Sequence, residues 1–200
     1  MLARTLKIMV RREQSPRWEL DNEPTLDYAD REGLRALVGT SESGPTGIYS
    51  SVDPANLNPY EPDWGDLVRL HKLARRRRVM NVLEFGCGYS SLIFADALYK
   101  NHIDFGDYAK KNLRRSDPFR LDVLDDFPQF IELTKSRVPR HLQEFVRFHF
   151  SPVEMSEFAQ RICTRYLKLP NVCPDLIYLD GPSQHSVLGD VSGITTATLD

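Results

Sequence analysis

The chain has 200 residues, 41% hydrophobic and 27% charged, with 26 Lys and Arg against 28 Asp and Glu for a formal charge of −2. These are the proportions of one folded domain, and they argue against a disordered tract and against the broad positive field with which non-specific nucleic-acid binders neutralise phosphate. No apolar run approaches the roughly 18–20 residues that cross a bilayer, and the mean hydropathy is −0.40.

In the opening stretch MLARTLKIMVRR, Lys7 interrupts an apolar run too short for a signal-peptide core and no small-residue cleavage site follows, so a cytoplasmic location is expected. The alternation Leu6, Ile8, Val10 predicts a short edge strand. Six of the 13 prolines lie before residue 63, with the turn-rich run TSESGPTG at 40–47, which marks residues 1–62 as a loop-rich extension. Inside it, residues 29–38 predict a short helix ended by Gly39. From Asp63 to about Arg77, residues Trp64, Leu67, Leu70, His71 and Ala74 recur at helical spacing, Asp63 is placed to cap, and Arg75 to Arg78 complement the helix C-terminus.

A strand is predicted over 79–85 (VMNVLEF), running into the glycine turn GCGYSS and a helix over 90–100. The polar stretch 101–117 reads as a surface loop or a loosely helical insertion. A second strand (119–124) and helix (128–138) follow, then a third strand (145–150), a stretch 153–169 expected to begin as a helix, and a fourth strand (175–179) closed by Asp180, Gly181 and Pro182. Alternating strands and helices predict an α/β domain over 63–200, with a doubly wound, mostly parallel sheet, helices on both faces and ligands at the carboxyl ends of its strands. Cys87, Cys163 and Cys173 are an odd number without CxxC spacing, so reduced thiols are expected. His71, His102 and His141 show no ligand spacing with one another or with the cysteines, so no metal is expected.

The strongest local pattern is Glu84-Phe85-Gly86-Cys87-Gly88-Tyr89-Ser90 at the first of these strand ends. Gly86 would let backbone approach a ligand, and Gly88 would permit a tight turn into a helix whose free amides face the crevice. Asp125, at the end of the second strand, is positioned for both hydroxyls of a ribose, with Asp126 beside it as the second choice. A tight turn alone would explain the glycines, and a helix cap ahead of Pro128 would explain the Asp125-Asp126 pair.

The ordered set LEFGCGYSS, LDVLDDFPQFIEL and PDLIYLDGP, covering roughly residues 79–182, resembles the class I S-adenosylmethionine-dependent methyltransferases, whose first motif is E/D-x-G-x-G-x. That resemblance implies a Rossmann-like cofactor domain that methylates a small-molecule or glycan-type acceptor. It implies that Glu84, Gly86, Cys87, Gly88, Tyr89 and Ser90 line the methionine end of S-adenosylmethionine, that Asp125 or Asp126 holds the ribose, and that Ser151, Pro152 and Val153 frame the adenine. Asp180 falls where methyl donor and acceptor meet. Asp180 and His185 are the candidate general bases, both on the loop at the mouth of the crevice. A non-catalytic binding or scaffold protein of the same fold is the alternative. An NAD-dependent oxidoreductase fits less well, because its fingerprint wants glycine at Ser91 and an apolar residue at Glu84. Only 21 residues follow Leu179 where this fold places about three more strands and their helices. The expected sheet therefore lacks its C-terminal antiparallel strands and leaves an open edge, to be met by a partner or by another copy of the chain if the sequence is not a truncated one.

Overall fold

The computed structural model describes residues 23–39 and 61–182. The predicted strand at Leu6–Val10 and His185 lie outside them.

The predicted helix over 29–38 is two short helices, α1 (Thr25–Arg31) and α2 (Leu34–Val38). Gly33 separates them at φ +75°, and Gly39, at φ +81°, ends the second as expected. Tyr28, Ala29 and Leu34 join the main core, so this part of the loop-rich segment packs on the domain. A buried chain of hydrogen bonds ties it down. Tyr28 Oη meets His71 Nδ1 at 2.8 Å, and His71 Nε2 meets Asp96 at 2.9 Å. Lys100 pairs with Asp96 at 2.7 Å and donates to the Glu32 carbonyl at 2.7 Å.

Helix α3 (Trp64–Arg76) starts at Asp63, whose carboxylate accepts the Asp66 amide at 3.2 Å, and buries Leu67, Val68, Leu70, His71 and Ala74. Strand β1 (Asn81–Phe85) leads into α4 (Tyr89–Asn112), which runs twelve residues past the expected end. The reason is a buried stripe continuing at Asn101, Phe105 and Ala109, four residues apart. Asn101 is fully buried because its amide donates to the carbonyls of Ala74 and Val79 at 3.1 and 2.8 Å, closing off the end of α3.

Next come β2 (Arg120–Asp125), α5 (Pro128–Arg137) with proline in its first turn, and β3 (Val146–Phe150). The helix expected from residue 153 is absent. The chain forms an antiparallel hairpin instead, β4 (Val153–Phe158) and β5 (Arg161–Tyr166), with Val153 opposite Tyr166. Its two-residue turn, Ala159-Gln160, has positive φ at both positions, the geometry that matches strand twist. What wins over helix propensity is an apolar sheet face that Val153 and Tyr166 cover. Strand β6 (Leu176–Leu179) completes a parallel four-stranded sheet in the order β3-β2-β1-β6.

Strand alternation divides the layers. Val82, Leu121 and Val123 face the helices with Phe94, Ala97 and Leu98 of α4, whereas Leu83, Phe85 and Leu124 face the hairpin with Val153 and Tyr166. The fold is thus a Rossmann-like parallel sheet flanked by helices, with a small hairpin on its other side. Among the described residues β6 pairs only with β1, and its Ile177 and Leu179 are 54% and 48% exposed. No helix among the described residues is long and apolar enough to cross a membrane. His149 sits on β3 with Nε2 2.7 Å from the buried Asp122, as a strand histidine held by a neighbouring acid.

Candidate functional site

The loops after β1, β2 and β6 meet at the carboxyl end of the sheet. Gly86 crosses the β6 loop there at φ +89°, and a Cβ on it would lie 2.7 Å from the Asp180 carbonyl oxygen. Its bare Cα is therefore required by a neighbouring backbone. Backbone bonds to both neighbouring strand ends hold the crossing: Gly86 N–H donates to Leu124 O, and Asp180 N–H donates to Phe85 O, each at 2.8 Å. Gly88 differs. Its backbone is extended, nothing lies within 4 Å of where a Cβ would stand, and it begins α4 facing open space.

That space is a cleft of about 210 Å³ between the starts of α3 and α4 and the end of β6. Glu61, Asp63, Asp66 and Leu67 line it from the α3 side, Gly88, Tyr89 and Ser90 from the α4 side, and Tyr178 and Asp180 from β6. It therefore gathers four carboxylates, and no Lys, Arg or His is among its lining residues. Tyr178 Oη donates to Asp66 Oδ2 at 3.3 Å. Partial burial, together with the nearby charge of Asp66, raises the pKa of Asp180 above the ordinary range. Arg137 lies over the Tyr89 ring at 5.5 Å, steadying it at the rim.

Glu84 lies beneath the cleft and is fully buried, with Ser90 Oγ donating to Oε1 at 2.5 Å and Ser91 Oγ to Oε2 at 2.6 Å. Burial pushes its pKa up to about 8; the two serine bonds pull against this, and the charges of Asp180 and Asp125 add to it.

On the β2 side the polar groups are already bound to protein. Asp125 Oδ2 accepts the Cys87 amide at 2.9 Å and Oδ1 the Phe127 amide at 2.7 Å, and burial raises its pKa to about 6. The Cys87 thiol is pushed far up by burial and by Asp125, which keeps it protonated and a poor nucleophile. Ser151 is buried, and its hydroxyl accepts the Lys168 amide at 2.8 Å. Pro152 O accepts the Leu167 amide at 2.9 Å, and Val153 is buried against the hairpin face. These three residues fasten the hairpin to the end of β3. Asp126 is half-buried beside Asp125.

The structure thus brings Gly88, Tyr89, Ser90 and Asp180 into one cleft, with Glu84 and Gly86 supporting it from behind. Asp125, Asp126 and Ser151 to Val153 stand apart, along the neighbouring strand ends. Sequence reasoning missed Glu61, Asp66 and Tyr178 as lining residues and read Asp63 as a cap alone. Two acids around a helix start are what ordinary capping looks like, and Tyr178 reads as a core residue of a buried strand. Among the described residues, no group of three or more His, Cys, Asp or Glu is arranged to hold a metal ion. Compared with family models and with curated proteins, the chain matches none.

Proposed function

We propose that the cleft receives the amino-acid end of S-adenosylmethionine and that the protein transfers its methyl group to a small-molecule or glycan-type acceptor. The observation that carries this reading is the meeting, in one cleft, of a helix start with four carboxylates. Helix-start amides attract a carboxylate, and the acids attract an ammonium or a sulfonium. A ligand with all three groups at one end satisfies both halves of the cleft, whereas a dinucleotide pyrophosphate would meet a wall of carboxylates, of which Asp66 is paired with Arg69. The open side of Gly88 leaves room for that end to reach the backbone.

At about 210 Å³ the cleft is smaller than the roughly 300–1,000 Å³ of sites that enclose a whole small ligand, so it suits one end of an extended one. The rest would run along the strand ends toward Asp125 and Asp126. Each Asp125 oxygen accepts one amide and keeps a lone pair, so ribose hydroxyls can still donate to it.

When bound, the cofactor supplies a methyl group already activated on a sulfonium. The residues then have to orient the acceptor and remove its proton. Asp180 is the group for the proton, since its raised pKa makes it a better acceptor than an ordinary aspartate and it stands at the cleft edge. His185 is the second candidate from sequence. Calorimetric titration with S-adenosylmethionine, S-adenosylhomocysteine and NAD tests the reading. Binding of the two sulfur ligands without NAD is expected; NAD binding with no response to either of them overturns it.

A further inference from the structure

We propose that Glu84 is a positioning residue and not a ligand contact: through Ser90 and Ser91 it fastens the first turn of α4, and so holds the Gly88–Ser90 backbone that faces the cleft. The fastening stands on geometry alone; that it serves ligand binding rests on the methyltransferase reading.

A helix that begins at glycine has no side chain at its start to accept the free amides, the task Ser, Thr, Asp or Asn ordinarily performs. Here Ser91 Oγ accepts the Gly88 amide at 3.2 Å and donates to Glu84 Oε2, while Ser90 Oγ donates to Oε1. The cap is therefore anchored from the strand below. Each carboxyl oxygen holds a serine hydroxyl and the residue is 0% exposed, so a ligand could reach Glu84 only if the α4 turn that covers it moved away. Its position on β1, paired with Val123 and Tyr178, points it into the helical layer under Ser90. A buried carboxyl is kept only where such partners offset its desolvation, and its pKa of about 8 agrees with that environment.

The test combines amide hydrogen exchange over residues 88–92 of the full chain with calorimetric titration of S-adenosylhomocysteine, on Glu84→Ala, Glu84→Gln, Ser90→Ala and Ser91→Ala. Glu84→Ala should speed exchange in that turn by about tenfold or more, with the sheet unchanged, and weaken S-adenosylhomocysteine to a similar degree, as expected for the loss of two buried hydrogen bonds. Glu84→Gln, which can still accept one hydroxyl and donate to the other, should restore both. Each single serine variant, which leaves the core carboxyl in place, should reproduce part of both effects. Unchanged exchange in all variants overturns the fastening. Loss of binding in Glu84→Gln with exchange unchanged makes Glu84 a direct contact and overturns the proposal too. The expected exchange pattern with no binding by the unmodified protein supports the fastening and overturns the methyltransferase reading instead.

Discussion

The two halves of the crevice at the carboxyl end of the sheet differ in whether their polar residues line open space. On the α3–α4 side, Asp66, Asp180 and the Gly88 backbone face a cleft. On the β2–β3 side, the carboxylate of Asp125 and the hydroxyl of Ser151 hold backbone amides of the protein itself. One half borders a cleft, and the other is a joint whose Asp125 oxygens each keep one lone pair. Gly86 and Gly88, two residues apart in one motif, show the same contrast at close range: the first is packed against backbone and the second against space.

The sharpest way to break the comparison is to give each glycine a side chain. Gly86→Ala adds a Cβ 2.7 Å from the Asp180 carbonyl oxygen at a positive φ, and should cost about 3 kcal/mol or more of stability by strain and overpacking. Denaturant unfolding reads it. Gly88→Leu places its side chain in the cleft on extended backbone, and should leave the unfolding midpoint nearly unchanged while weakening S-adenosylhomocysteine by about a hundredfold, roughly 2.7 kcal/mol. Equal losses of stability in the two variants would erase the distinction between joint and opening.

Asp125→Asn should cost about 1–3 kcal/mol, because an asparagine in place can accept only one of the two amides. Its pH dependence gives a second reading. The carboxyl has an ordinary pKa of 3.8 and is raised to about 6 in the folded protein, so its stabilising contribution is fully present below 3.8 and lost as pH rises through about 6. The stability difference between the unmodified protein and Asp125→Asn should therefore shrink over that window. A difference independent of pH would contradict the buried joint. The smallest effect belongs to Asp66→Asn, which removes one of four carboxylates from an open cleft. It should weaken a cationic ligand by about three- to tenfold, less at high salt, with unfolding little affected.

The four parallel strands and α3 were legible in sequence because their apolar runs and periodic faces carry the burial directly. The length of α4 was not, since its buried stripe continues through a polar residue, Asn101, whose partners, two carbonyls and the Arg75 guanidinium, lie more than twenty positions away. Nor was the β4–β5 hairpin, because its turn is Ala159-Gln160 and carries none of the Asn-Gly or Asp-Gly chemistry that announces such a turn. At the site, the Gly-x-Gly motif was plain, but what each glycine is for depends on which backbone crosses it. The serine partners of Glu84 were not legible either, because they lie six and seven residues on, where sequence alone does not bring them back to the strand. The acids at the start of α3 were invisible as lining residues, since a capped helix and a cation-attracting wall use the same residues.

The central claim is that the open half reads the amino-acid end of the ligand. Comparing the affinity of S-adenosylhomocysteine with that of 5′-methylthioadenosine, which keeps the nucleoside and lacks that end, tests it most directly. The account predicts that S-adenosylhomocysteine binds at least about tenfold more tightly, roughly 1.4 kcal/mol, and that Gly88→Leu abolishes the difference. Equal affinities for the two ligands in the unmodified protein would contradict it.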